Sequence, residues 1–363
     1  MSGTAAVKVS VIVPVYNAKK TIRDCLEAIV GQTLKEIEVI CVDDGSKDGS
    51  WKVIEEIRQK DDRVRLIRQE NQGAGVARNV GMKEARGDYL VFLDSDDYFE
   101  PDMLRSAWEC CRKTGAEACA WAADAVHIET GESVPYRSAF DKRYILKTNP
   151  FDPASDEAHE TVMQMFNGVP WTKMFSRELI QRTGLQFQAL RTTNDSFFIY
   201  SALVRARRIV TLDKVLVHRR KGIASSLTQT REKSWQCFFQ AYAAIRERLE
   251  EDGLFERFER TYMNRLMKTL LWQVESISPE GAEKMVAYLR EEGFEKLGFD
   301  KYEPEFYYDH LYEGYTWLKE LDPAGFRTAM RVARKRDELA GILEQFRNRK
   351  IVKILDKLAA LRK

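Results

Sequence analysis

Asp88-Tyr89-Leu90-Val91-Phe92-Leu93-Asp94-Ser95-Asp96-Asp97 is the stretch that decides the fold. The apolar run Tyr89 to Leu93 ends abruptly in three carboxylates within four positions. Such a run reads as a strand buried on both faces, as in a parallel sheet. Carboxylates crowded at a strand end repel one another, so folding alone does not favour them. A divalent cation removes that cost, because Mg²⁺ and Mn²⁺ prefer hard oxygen ligands and share them with substrate phosphates. The plain alternative is a solvated acidic turn capping a helix near Pro101.

Upstream of this stretch, short apolar runs alternate with amphipathic ones. Val9 to Val15, Glu38 to Val42 and Val64 to Ile67 read as strands. Thr21 to Val30, Ser50 to Gln59 and Ala74 to Ala85 carry helical spacing between them. This alternation predicts an α/β fold, a parallel sheet with helices on both faces. Ligands of such sheets bind at the C-terminal strand ends, where the carboxylates lie. Downstream the pattern loosens. Ala118 to Ala125 and the turn at Thr130-Gly131-Glu132 suggest further strands, as does Lys214 to Arg219. Beyond Thr230 the apolar residues Trp235, Phe238, Phe239, Tyr242, Ile245 and Leu249 take helical spacing. We therefore expect an α/β domain over 1–229 and a mostly helical region over 230–363.

Composition sets bounds on function. The chain has 363 residues, 44% of them hydrophobic, enough for one large domain and a smaller one. A net charge of +2 gives no ground for a nucleic-acid partner. The six cysteines lack metal-ligand spacing and read as reduced core residues. Met1 to Lys8 has no apolar secretory segment, and no uncharged apolar run approaches a membrane span. The expected location is cytoplasmic, including the inner face of a membrane. Seven Lys or Arg residues within Phe346 to Lys363, against Asp356 alone, give a basic amphipathic helix. It suits an anionic membrane surface, its own domain, or the partner in a homodimer.

Three further motifs stand at strand ends. Pro14-Val15-Tyr16-Asn17 closes the first strand; Pro suits a strand end, and Tyr16 can stack on a planar base. Val42-Asp43-Asp44-Gly45-Ser46 closes the second, where Asp44 can accept a hydrogen bond from a pyrimidine N–H or cap the next helix. Gln72-Gly73-Ala74-Gly75-Val76-Ala77-Arg78-Asn79 opens the third helix, with Arg78 one turn in. It is neither a Walker A loop nor a dinucleotide fingerprint.

In their order and spacing these motifs, with Asp94-Ser95-Asp96-Asp97, resemble the family 2 glycosyltransferases, which have the GT-A fold. The match runs clearly to Leu104 and is traceable to Thr228. The resemblance implies transfer of a sugar from a nucleoside diphosphate donor, most often a UDP-sugar, to a saccharide or lipid-linked acceptor hydroxyl, with inversion, in surface polysaccharide assembly. It implies that Pro14, Tyr16, Asn17 and Asp44 hold the nucleotide, assisted by Arg78, Asp94 and Ser95. Asp94 and Asp96 would form the family's Asp-x-Asp around Mn²⁺ or Mg²⁺, with Asp97 and His218 as further ligands. The family's base lies in a paired-acid motif before an aromatic helix. Thr193-Asn194-Asp195-Ser196-Phe197-Phe198 fits, with Asn in place of the first acid, so Asp195 becomes the candidate base. Gly168-Val169-Pro170-Trp171-Thr172-Lys173 also resembles the family, placing Trp171 and Lys173 near acceptor or diphosphate, although Trp171 equally suits a packed core. A nucleotidyltransferase would need a Gly- and Lys/Arg-rich loop after the first strand, which Val15 to Lys20 lacks. A non-catalytic sugar-nucleotide-binding module would lack a base, and Asp195 argues against it.

Overall fold

The computed structural model describes residues 6–136, 139–221 and 232–347. The predicted alternation is realised as β1 (Val9–Val15), α1 (Ile22–Val30), β2 (Ile37–Asp44), α2 (Ser50–Arg58), β3 (Val64–Gln69), α3 (Ala74–Glu84) and β4 (Tyr89–Phe92). These four strands pair in parallel in the order β3-β2-β1-β4. The two-residue side-chain period divides each central strand between two faces. Val9, Val11, Val13, Val15, Val39 and Cys41 join the core with α1 and α2, while Ile40 and Val42 meet Ala77 of α3. Gly81 lets α3 approach β1, since a Cβ there would stand 2.6 Å from Ile12 Cγ2.

Beyond β4 the sheet departs from the parallel expectation and becomes mixed. The remaining elements are β5 (Tyr98–Phe99), α4 (Met103–Thr114), β6 (Ala118–His127), β7 (Ser133–Pro135), α5 (Val162–Met165), β8 (Lys173–Ser176), α6 (Arg177–Thr183), α7 (Ser196–Arg205) and β9 (Ile209–Lys221). The order continues from β4 as β8-β6-β9-β5, with β7 on β6. β8 runs antiparallel to both β4 and β6. It arrives from a long irregular connection rather than a helical crossover, so nothing forces it to be parallel. The Gly131 turn takes φ 70° and joins β6 to β7 as expected. All six cysteines are free thiols.

The chain divides into two compact units, residues 1–265 and 266–363, rather than at the expected 229/230. The reason is packing. In α8 (Gln236–Glu251), Phe238, Tyr242, Ile245 and Leu249 are buried, and the Tyr242 ring lies 6.4 Å from that of Tyr200 on α7. In α9 (Phe255–Ser276), Arg265 is buried and donates to the carbonyls of Met163, Gln164 and Phe166. The second unit is helical as predicted: α10 (Pro279–Tyr288), α11 (Phe294–Leu297), α12 (Leu311–Glu320) and α13 (Pro323–Arg347). Its core includes Leu271, Met285, Leu289, Phe299, Tyr315 and Leu318. The basic helix read over Phe346 to Lys363 lies outside the described residues, apart from the backbone at the end of α13.

Candidate active site

The parallel register brings the C-terminal ends of β1, β2 and β4 to one sheet edge. Val15 stands opposite Asp43, and Ile12 opposite Phe92. β1 stops pairing with β4 at Ile12, so the N–H that Pro14 lacks is not needed on that side. Tyr16, just beyond, is 52% exposed and offers a free ring face. Asn17 has φ 50°, and its side chain and backbone tie this loop to Lys47 N and Ser46 Oγ. Asp44 is buried and works first on the protein. It accepts from Gln69 Nε2 at 2.7 Å, Gln72 N at 2.9 Å and Gly73 N at 2.8 Å, which sets the entry to α3. Gly73 there has φ 91°, a conformation that favours glycine.

After β4 the chain turns tightly, Asp97 N donating to Asp94 O. Carboxylate oxygens of Asp94, Asp96 and Asp97 all lie within 4.8 Å of one another. Burial and the charge of Asp94 push Asp96 up to about 6. Burial and both neighbours push Asp97 well above the usual carboxylate range. A set of mutually repelling hard oxygens at a strand end fits Mn²⁺ or Mg²⁺.

Arg78 connects this cluster to the candidate base. It is buried; one guanidinium nitrogen donates to Asp94 Oδ1 at 2.8 Å and another to Asn194 Oδ1 at 3.0 Å. The Asn that replaces the family's first acid is therefore the neutral end of a bridge. Asn194 stands beside Asp195 at the start of α7, and Thr193 before it is held at φ 58°. Left-handed backbone at a β-branched residue stores strain of the kind found at functional sites. Burial pushes Asp195 up to about 6, with Arg78 and Lys173 pulling down and Asp94 adding to the rise. A partly ionised carboxylate near neutral pH suits a general base. Gly75 completes the join: a Cβ there would stand 2.2 Å from the carbonyl oxygen of Gln188.

Three of the sequence candidates have their side chains engaged elsewhere in the structure. His218 pairs across the sheet with Tyr98, and its ring nitrogens contact Asp124 Oδ1 at 2.6 Å and Glu100 Oε1 at 2.8 Å. With both nitrogens engaged it has none to offer the carboxylate cluster. Trp171 is 3% exposed and packs in the sheet core beside Tyr136, so it offers no face to a sugar. Lys173 is fully buried, and its ammonium donates to Asn167 O, Val169 O and Thr172 Oγ1, so it reaches no phosphate. Burial pushes it down to about 7, against the pull of Asp195.

Arg219 is the residue that sequence reading missed. Its charge pulls down the pKa of both Asp96 and Asp97, and its guanidinium lies 5.6 Å from the Tyr136 ring centre. It has no hydrogen-bonded or ion-paired partner among the described residues. Arg220 is already engaged with Asp24 and donates its backbone N–H to Asp97. The signal was the Arg pair beside His218, but nothing in the sequence says which of the three faces the carboxylates.

Comparison with known proteins shows the family and the fold. Residues 10–184 match the family described as Glycosyl transferase family 2. The chain is 32% identical to EpsH of Bacillus subtilis over 259 residues, covering 69% of this chain and 72% of EpsH. TarS from S. aureus, solved in complex with UDP-GlcNAc, aligns over 90% of this chain and 92% of its own at a TM-score of 0.59 and 21% identity. A mannosyltransferase from Pyrobaculum calidifontis, in complex with GDP-Man and Mn²⁺, aligns over 92% of this chain and 87% of its own at a TM-score of 0.51 and 18% identity. The chain belongs to glycosyl transferase family 2 and is a glycosyltransferase, with the GT-A-like fold.

Proposed function

We propose that this glycosyltransferase is metal-dependent and inverting, and that it moves a sugar from a UDP-sugar to a hydroxyl of a saccharide or glycoconjugate in surface polysaccharide synthesis. The observation that carries the reading is the continuous link from the carboxylate cluster through Arg78 to the Asn194-Asp195 turn. It joins a site for a diphosphate-bound cation to a site for a base.

On this reading Pro14, Tyr16, Asn17 and Asp44 line the nucleotide site. Tyr16 stacks on the base, and the remaining lone pair of Asp44 accepts the uracil N–H. Asp94, Asp96 and Asp97 would hold Mn²⁺ or Mg²⁺, which supplies positive charge to offset that of the diphosphate. Arg219 adds a cation on the same side. The acceptor hydroxyl attacks the anomeric carbon from the face opposite the diphosphate. The new C–O bond forms as the bond to the phosphate oxygen breaks, which inverts the configuration. Asp195 takes the hydroxyl proton, and UDP leaves with the electron pair. The UDP of the TarS complex and the Mn²⁺ of the mannosyltransferase complex support the choice of donor and metal class.

Calorimetric titration of UDP, first with Mn²⁺ and then with EDTA, tests the reading. Binding should weaken at least about tenfold when the cation is removed, a change of about 1.4 kcal/mol. Equal affinity in the two conditions would remove the metal from the site.

A further inference from the structure

Lys173 is a fully buried basic side chain that the proposed chemistry leaves unused. It starts β8, yet its side chain turns into the segment before it. There its ammonium meets three neutral oxygens at 3.0 Å (Asn167 O), 2.9 Å (Val169 O) and 3.0 Å (Thr172 Oγ1). All three of its protons are thereby used. Arg265 does the same work one step earlier in the segment, donating to Met163 O, Gln164 O and Phe166 O. Two buried cations thus satisfy five carbonyls between residues 163 and 169, a stretch that leaves helix α5 and does not enter a strand until Lys173. Without them the buried carbonyls of Met163, Gln164 and Phe166 would lose these partners, and so would the part-buried carbonyls of Asn167 and Val169.

The segment they hold lies against the candidate base. Gly168 stands between the two carbonyls that Lys173 grips, and a Cβ on it would come within 2.7 Å of Ser196 Oγ and 3.3 Å of Ser196 Cα. Ser196 is the first residue of α7 and follows Asp195 directly. On the other side, Arg78 holds Asn194. The turn that carries Asp195 is therefore gripped from two directions, and Lys173 supplies the second grip.

We propose that Lys173 is a positioning residue: by holding the Asn167 and Val169 carbonyls it seats Gly168 against Ser196 and so fixes where Asp195 meets the acceptor hydroxyl. The proposal rests on the reading of Asp195 as the base. It assigns Lys173 no contact with donor or acceptor, so its loss should affect turnover and not donor affinity.

Lys173→Met keeps the length of the stem and removes the ammonium. Turnover is read on the full chain as UDP release from UDP-GlcNAc, or from whichever UDP-sugar of a panel the wild type turns over fastest. The expected result is a fall in kcat of at least about tenfold with donor KM changed less than about twofold. Amide hydrogen exchange should quicken at Val169 and Ile199 while β1 and β2 keep their protection. Wild-type kcat would overturn the proposal. So would protection lost evenly across the sheet with kcat per folded molecule unchanged, which is a purely structural role. Gly168→Ala tests the same path with Lys173 in place, and serves if Lys173→Met does not fold. It should lower kcat, and adding Ser196→Ala should restore part of it by removing the clashing oxygen. Failure of that rescue overturns the proposal. Asp195→Asn separates the two readings: full activity there refutes the base, whereas an inactive Asp195→Asn beside an unimpaired Lys173→Met refutes the positioning role alone.

Discussion

At the scale of single residues, environment matters more than residue type. Asp94, Asp96, Asp97 and Asp195 are the same side chain in four settings. Asp94 is hydrogen-bonded to Arg78, whereas for Asp195 the nearby charges of Arg78 and Lys173 only partly offset the burial that pushes it up to about 6. If Asp195 is the base, it must be ionised to act. With metal and donor saturating, kcat should therefore rise with pH through about 6 and level off above it. Asp195→Asn should remove that limb and lower kcat by a factor on the order of 10², while UDP affinity in the calorimeter stays unchanged. Arg219→Met should act differently. If the Arg219 charge faces the diphosphate, the variant should weaken UDP binding about tenfold and leave uridine binding unchanged. Equal loss for both ligands would place Arg219 against the nucleoside instead. His218, Trp171 and Lys173 teach the converse lesson. Each matched a family pattern, and each is held by its own neighbours: His218 by Glu100 and Asp124, remote in sequence, Trp171 by the sheet core, and Lys173 by the nearby carbonyls of 167 and 169.

At the scale of elements, the site is a meeting of helix starts with strand ends. α3 begins at Gly73 because Asp44 holds the backbone N–H groups of Gln72 and Gly73. Its first turn can then press on the loop before α7 because Gly75 has no side chain. Gly75→Ala should push Gln188 away and carry Asn194, whose carbonyl accepts from Gln188 N, with it. We expect a loss of about 1–3 kcal/mol in urea denaturation, as for overpacking elsewhere, together with lower kcat. Unchanged stability and turnover would show that the loop yields freely. The elements themselves were legible wherever one period ran without interruption. β1 to β4 and α1 to α3 appear within a residue or two of their expected ends at most positions, and α8 follows the predicted apolar spacing. β8 was not legible as a strand, because its four residues, one of them a buried lysine, carry no alternation.

At the scale of the whole molecule, the site costs stability that a ligand can return. In the metal-free chain, Asp96 and Asp195 are pushed up to about 6, against an ordinary value near 4. The native state then holds more protons than the unfolded chain between those values, so stability falls as pH rises through that window. His218, whose pKa is raised, acts in the same direction: its contribution is full below its unfolded pKa and fades as pH passes the folded one. Glu117 and Asp61, whose pKa values are lowered, oppose this only in acid, below about pH 4.5, whereas Lys173, held down to about 7, opposes it above about pH 6 and offsets part of the combined effect of Asp96, Asp195 and His218. The metal-free Tm should therefore be higher at pH 5.5 than at pH 7.5, and Mn²⁺ should raise it more at pH 7.5. Scanning calorimetry at the two pH values, with and without Mn²⁺, reads both effects; a Tm indifferent to both would mean the carboxylates do not repel. By itself the sequence determined the α/β alternation, the helical C-terminal region and the acidic strand end, because periodicity and motif order are local properties of the chain. Only the tertiary structure decided that Arg78 bridges Asp94 to Asn194, that His218 is engaged by Glu100 and Asp124, and that Lys173 is buried. The first two outcomes depend on contacts between residues up to 118 positions apart, such as Glu100 with His218, which only sheet order and helix packing bring together.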